Sequence, residues 1–377
     1  MGSIARHAEF FATESDCMKF AIVPTIDKFM NDKFIGTKNT DGSIAFRDHF
    51  AEEFYHGFAD RGDEIHTIDM YDDYEKIDLI LFDWPRWDWI QKLVNAGQAH
   101  KMVYYNAEPA TVLKENTEEG FKRTETIFPY IMTFVNSKID NVTYFRKNIP
   151  YYFDIDFGNV PYEEKKLLTS ISGNKRPKGV NPETELYSER ERVYSFFEKH
   201  YPKDFDLYGT GWNKENHPCY KGRVDSKIKT YHNYRFAICL ENTKGDADYV
   251  SEKIYDCLCS GVVPVYGGAP NVDKYIPKEC YIDYFSFGSI EELAERLSGM
   301  SKDEHQGYTD AAKAFITKLD KHEFTGGRFA EYIYEMAGHK KDFAITPEAV
   351  RYVNRMGNKE KLRKMISRIK KGLSGTK

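Results

Sequence analysis

Tyr234-Arg-Phe-Ala-Ile-Cys-Leu-Glu241-Asn242-Thr243 reads as a buried strand that ends abruptly in polar groups. In an open α/β sheet, ligands bind beyond the carboxyl ends of strands, which is where Glu241 and Asn242 fall. A polar loop, Lys244–Asp248, leads into a helix predicted over Tyr249–Ser260, and Gly261 precedes a second strand, Val262–Tyr266. Strands separated by helices in this way imply a parallel α/β sheet covered on both faces.

The same rhythm extends outward in both directions. Upstream, Lys19–Val23 is a short apolar run stopped by Pro24, and Glu64–Ile68, Ile77–Phe82, Met102–Tyr105, Tyr130–Val135 and Val142–Phe145 read as further strands. Phe50, Phe54 and Phe58 recur at helical spacing within Asp48–Arg61, and Asp88–Ala96 reads as another helix. Pro161–Ser188 breaks the pattern with Lys, Glu, Asn, Gly and three prolines (Pro161, Pro177, Pro182), as expected of a crossing between domains. After it come an apolar island at Leu167–Ile171, a helix over Glu189–His200, a strand at Phe205–Tyr208, and a capping box at Ser289 and Glu292. At 377 residues the chain exceeds what one core usually organises. Two α/β domains facing a cleft are expected, with segments at 1–160 and 161–345 and a tail at 346–377.

Bulk composition excludes several function classes. A formal net charge of −5 argues against nucleic acid as the main partner. No run of about 18 apolar residues is present, so no membrane span is expected. The start of the chain lacks a secretory layout, and Arg6 occupies the place that a myristoylation signal after Met1-Gly2-Ser3 would give to Ser or Thr. A cytoplasmic location is therefore expected, and the six cysteines, without metal-ligand spacing, read as reduced thiols. Aromatics reach 15%, which suits sugar-binding clefts and ordinary cores alike.

Tyr249, Glu252 and Lys253 lie three and four residues apart, so one side of the predicted helix start would carry a ring, a carboxylate and an ammonium. Beside free N–H groups at a helix N-terminus these would suit a nucleotide diphosphate. On spacing alone, a solvated surface pair fits Glu252 and Lys253 as well.

Three blocks together, Tyr234–Asn242, Tyr249-Val-Ser-Glu-Lys253 and Gly261-Val-Val-Pro-Val-Tyr-Gly-Gly268, resemble the C-terminal signature of glycosyltransferase family 10, the α-1,3/4-fucosyltransferases. Arg235 and Ser251 replace the family's Lys and Thr, both mild changes. The resemblance implies a fold of GT-B type and GDP-fucose as the donor. It implies donor contacts from Tyr249, Glu252 and Lys253 and a diphosphate-binding arginine, for which Arg190 fits the spacing better than Arg192. It also implies a donor domain at 161–345 and an acceptor domain at 1–160. Val103-Tyr-Tyr-Asn-Ala-Glu108-Pro109 resembles the loop that presents the family's catalytic carboxylate, which makes Glu108 the expected general base. Asp246-Ala247-Asp248 matches a metal-binding DxD, yet the family is generally metal-independent, so caps for the following helix are the expected role and no cofactor is required.

The remaining expectations concern the partners. An oligosaccharide acceptor is implied, with Trp84, Trp87, Trp89 and Tyr104 near the presumed cleft. Residues 359–377 hold eight basic residues against Glu360, with Leu362, Met365, Ile366, Ile369 and Leu373 at helical spacing. This basic amphipathic helix would either lie on an anionic membrane surface, as basic tails of bacterial relatives are thought to do, or pack on the protein.

Overall fold

The computed structural model describes residues 17–34, 46–175, 182–339 and 341–374. The Met1–Arg6 region, Pro177 and Lys377 lie outside them. The first elements are β1 (Lys19–Val23), α1 (Phe46–Ala59), β2 (Glu64–Thr67), β3 (Leu79–Phe82), α2 (Trp87–Asn95), β4 (Met102–Tyr105) and α3 (Glu118–Thr124). Next come β5 (Tyr130–Thr133), β6 (Tyr144–Arg146), β7 (Lys166–Ile171), α4 (Tyr187–His200), β8 (Phe205–Tyr208) and β9 (Tyr220–Gly222). Then follow α5 (Lys227–Tyr231), β10 (Tyr234–Leu240), α6 (Glu252–Ser260), β11 (Val263–Gly267) and β12 (Ile282–Asp283). The chain closes with α7 (Ile290–Ser298), α8 (Lys302–Lys318), α9 (Gly326–Gly338) and α10 (Pro347–Ser374). The expected class holds: the strands form two parallel sheets flanked by helices.

Two compact units divide the chain. One comprises Met1–Tyr105, Ile127–Tyr130 and Gly326–Lys377, the other Asn106–Thr126 and Ile131–Thr325. This partition differs from segments 1–160, 161–345 and 346–377: residues 106–126 and 131–160 join the second unit, and α9 joins the tail in the first.

In the first unit β1 lies between β2 and β3, with Lys19 opposite Glu64 and Phe20 opposite Leu79. All four residues of β3 are buried, as a parallel strand covered on both faces requires. Phe54 and Phe58 of α1 are buried, and Phe329 of α9 meets Phe50 and Phe54 edge-on at 5.5 and 5.6 Å. The tail helix is docked rather than free along its first turns. Gln91 of α2 donates to the Asn354 carbonyl at 3.1 Å, and Lys364 pairs with Asp88. On either side of Lys364, Leu362, Met365, Ile366 and Ile369 remain exposed. Two of the expected cleft aromatics belong to cores: Trp87 packs edge-on against Tyr352, and Tyr104 is 1% exposed against Phe128. They offer no face to a sugar because burying a large ring stabilises the core more than exposing it.

In the second unit β5 and β6 pair in parallel, Ile131 opposite Tyr144. Its main sheet has the order β12-β11-β10-β7-β8-β9. The central strand β10 serves two cores by simple alternation. Phe236, Ile238 and Leu240 pack with Val193, Tyr194 and Phe197 of α4 and Leu293 and Leu297 of α7. Ala237 and Cys239 face the other way, toward Ile254 and Leu258 of α6 and Ala312 and Ile316 of α8. That is why the strand is apolar throughout: a period of two has no polar face to show when helices cover both sides. Tyr234, at the start of β10, donates to Asp206 at 2.7 Å, so the first residue of the sequence signature ties strands together at the opposite end from Glu241.

Candidate active site

The chain order reverses between β7 and β10: from β7 the sheet grows through β8 and β9, and from β10 through β11 and β12. The carboxyl ends of these two strands form a topological switch point, the usual ligand crevice of an open α/β sheet. Loops there approach closely enough to need glycine. Gly209, after β8, has φ +129°, and a Cβ on it would sit 1.8 Å from the Ser172 carbonyl oxygen. Gly268, after β11, lies against the Glu241 side chain, where a Cβ would fall 2.5 Å from Cγ.

Glu241 occupies the tip of β10 and is completely buried. Its carboxylate accepts from the Ser251 backbone N–H and hydroxyl, each at 2.7 Å, and from Lys253 Nζ at 3.0 Å. Helix α6 begins at Glu252 with Ser251 as its N-cap, three residues later than the sequence spacing predicts. The aspartates of the DxD therefore do not cap it; Ser251 does, because a hydroxyl at that position reaches the exposed N–H groups. Lys253 also donates to Ser251 Oγ at 2.8 Å. Burial alone would discharge this ammonium, but Glu241 and Glu252 outweigh it and hold the Lys253 pKa above the ordinary lysine value. Glu252 behaves in mirror image: burial pushes its carboxyl up, and Lys253 and Lys227 pull it below the usual range. The site thus keeps a charged lysine and a charged carboxylate together at a helix N-terminus.

Arg190 is also buried. Its guanidinium donates to the Leu240 carbonyl at 2.6 Å, the Glu241 carbonyl at 2.7 Å and Asn242 Oδ1 at 3.2 Å. It thereby clamps the end of β10, whereas the alternative, Arg192, points outward and pairs with Glu189 at 2.6 Å. Asn242 in turn donates to the Tyr249 hydroxyl at 3.3 Å. Tyr249 precedes the helix instead of sharing its face. It is 2% exposed with its ring 5.2 Å from that of Phe134, so its hydroxyl, not a stacking face, is what it can offer.

Glu108 lies three residues past β4, in the second unit with the rest of the site. Asn116 Nδ2 donates to its carbonyl at 2.6 Å and fixes the loop. Burial raises its carboxyl pKa; Lys253, Lys175 and Lys147 oppose the rise, and Glu252 adds to it. A half-buried carboxylate with raised affinity for a proton is suited to general-base work.

Asp248 takes a different part. It adopts φ +67° and accepts from Tyr275 Oη at 2.6 Å, Asn271 Nδ2 at 2.8 Å and the Asn136 N–H at 3.1 Å. Those bonds bind three loops together and hold its carboxyl below the usual value against burial, while burial raises that of Asp246. Among the described residues, no three His, Cys, Asp or Glu side chains converge as a metal-ligand set.

Sequence reasoning missed Lys147, Lys175 and Lys227. Lys227 pairs with the buried Asp256 of α6 at 2.6 Å. Lys147 is 2% exposed, a state that an adjacent Arg146-Lys147 pair in a sequence does not announce.

Residues 179–312 match the model "Glycosyltransferase family 10 (fucosyltransferase) C-term". An alpha-(1,4)-fucosyltransferase of Arabidopsis thaliana is 41% identical over 70 residues, 19% of this chain and 17% of that one. The alpha-(1,3)-fucosyltransferase FucT of Helicobacter pylori is 35% identical over 74 residues, 20% of this chain and 15% of that one. The matched stretch thus spans less than a third of these relatives' own length. An alpha1,3-fucosyltransferase solved with GDP has a TM-score of 0.54 at 15% identity, covering 89% of this chain and 95% of that one, a likeness of fold. The domain that carries the β10 tip and helix α6 thus matches the C-terminal domain of glycosyltransferase family 10.

Proposed function

We propose that the protein moves L-fucose from GDP-fucose to a hydroxyl of an oligosaccharide, O3 of GlcNAc or glucose, by an inverting single displacement. The observation that carries this reading is the β10 tip at the switch point, where the buried Glu241 carboxylate holds both Lys253 and the Ser251 cap of α6. Glu108 takes the acceptor proton as its oxygen bonds to the anomeric carbon. The bond from that carbon to the donor's phosphate oxygen breaks, and GDP leaves with the electron pair. Lys253 and the N-terminus of α6 stabilise the charge on the departing diphosphate without a metal, and Arg190 holds the strand end that presents them.

A panel of nucleotide-sugars tested with an acceptor-glycan screen decides the matter. The expected result is transfer from GDP-fucose, inversion at the anomeric centre and undiminished rate in EDTA. Transfer from a different sugar would reassign the donor. Intact GDP binding with no donor turnover would make the protein a binding module. Loss of activity in EDTA would return Asp246 and Asp248 as ligands.

On the same reading the enzyme works at the inner face of a membrane. The exposed Leu362, Met365, Ile366 and Ile369 lie among Lys361, Arg363 and Arg368, a composition suited to anionic lipid. Co-sedimentation with phosphatidylserine vesicles should be strong at low salt and lost when the four apolar residues are changed to Ser. Equal sedimentation of that variant would remove the assignment. Among the described residues no helix is long and apolar enough to cross a membrane.

A further inference from the structure

Past the carboxyl ends of β5 and β6 the second unit holds a cleft of about 240 Å³ that the proposed transfer leaves without a role. That is small beside the roughly 300–1,000 Å³ of clefts for drug-sized ligands, so it admits one sugar ring rather than a chain of them. Its walls are aromatic: Phe134, Tyr255, Tyr275 and Phe324 line it, with the rings of Tyr255 and Phe324 edge-on at 5.2 Å. Tyr255 is 4% exposed, and its hydroxyl makes no hydrogen bond among the described residues. Arg146, the last residue of β6, and Lys274 line the cleft as exposed cations. Neither has a carboxylate within ion-pair reach among the described residues. Each acidic group of the lining, by contrast, already accepts from the protein. Asp248 accepts from Tyr275, Asn271 and Asn136, Asp320 from the His322 N–H at 3.1 Å, and Glu323 from Asn148 Nδ2 at 3.3 Å.

We propose that this cleft is a subsite for an acidic sugar of the acceptor, one whose ring carries a carboxylate or a sulfate group. The inference rests on the fucosyl-transfer reading above and deepens it by naming the class of acceptor. The aromatic walls take the C–H faces of the ring, and the Tyr255 hydroxyl is left to bond a sugar hydroxyl. The guanidinium of Arg146 presents parallel N–H donors that match an oxyanion in shape as well as charge, and Lys274 adds a point charge. Backbone bonds tie the cleft to the loop of the proposed base. Asn106, two residues before Glu108, donates to the Met132 carbonyl at 2.8 Å and through Nδ2 to the Thr133 hydroxyl at 3.1 Å. The Lys147 N–H, next to Arg146, donates to the Thr133 carbonyl at 3.0 Å. The Glu108 loop, the end of β5 and the end of β6 therefore lie side by side. The first and the last are two strand spacings apart, about 10 Å, so the acidic ring is a neighbour of the sugar that accepts fucose and not that sugar itself.

The test uses the full chain with GDP-fucose and sets of oligosaccharides that differ only in a neutral, a carboxylated or a sulfated sugar beside the reacting one. Acidic acceptors should show kcat/KM about tenfold above neutral ones at low salt, chiefly through KM. R146Q/K274Q should erase that preference while GDP affinity and kcat on neutral acceptors stay near wild type. Y255F should raise KM for neutral and acidic acceptors alike. The carboxylated and sulfated members separate the two sources of the charge. Equal kcat/KM for neutral and acidic acceptors, or a preference that survives in R146Q/K274Q, overturns the proposal. If the wild-type protein transfers no fucose, NMR titration of the same glycans into the protein with GDP reads the cleft directly. Acid-dependent binding that R146Q/K274Q removes would then uphold the subsite and count against the transfer reading alone. Absence of such binding overturns the subsite.

Discussion

Glu108→Gln is expected to lower turnover with GDP-fucose by on the order of 10²–10⁴ while leaving GDP affinity near wild type. The amide keeps the shape of the side chain and removes its capacity to accept the acceptor's proton, so only the chemical step should suffer. The pH profile adds a second check. A base must be ionised to work, and burial raises the Glu108 carboxyl. Activity should therefore fall, as pH is lowered, at a pH above the ordinary carboxylate range of about 4.3. Near-wild-type turnover of E108Q would end this assignment. The other carboxylate in its field, Glu252, would then be the one to replace.

Glu241→Ala should have the largest effect on the fold. It removes the acceptor of three donors from a site with no access to solvent, leaving the Ser251 N–H and hydroxyl and the Lys253 ammonium without it. Breaking a buried pair by deleting one partner costs about 3–5 kcal/mol. Urea denaturation should show a loss of that size, with GDP binding weakened because the start of α6 loses its anchor. Glu241→Gln should fall between, since it keeps an acceptor for Ser251 but loses the charge facing Lys253. An E241A variant with native stability and GDP affinity would show that the three bonds contribute nothing.

Much of this architecture was legible because parallel sheets write themselves plainly into a chain. The runs at Lys19–Val23, Met102–Tyr105 and Phe205–Tyr208 appear as strands over the same residues, and Ser289 caps α7 as its capping box predicts. The start of α6 was less legible. Tyr249, Glu252 and Lys253 fit one helical face by arithmetic, but Ser251 stops the helix short of Tyr249, and a cap is decided by where a hydroxyl points. Glu241 and Asn242 lie at the strand end, as their sequence implies, whereas Arg190, expected on a helix as a diphosphate contact, reaches that same strand end with its guanidinium. That Arg190 and Glu241 spend their polar atoms on the protein itself depends on burial, which residue type does not reveal. Lys147 was invisible for the opposite reason: lysine is so rarely buried that its position beside Arg146 reads as surface.

The self-contained bonding of Glu241 has a thermodynamic consequence for the ligand. The β10 tip and the first turn of α6 are already locked to each other by internal bonds, so an incoming diphosphate need not freeze them. The entropy that association ordinarily loses in ordering a loop is here lost once, when the domain folds, and is shared with the stability of both cores that meet on β10. Affinity on this side of the crevice is therefore a property of a rigid template.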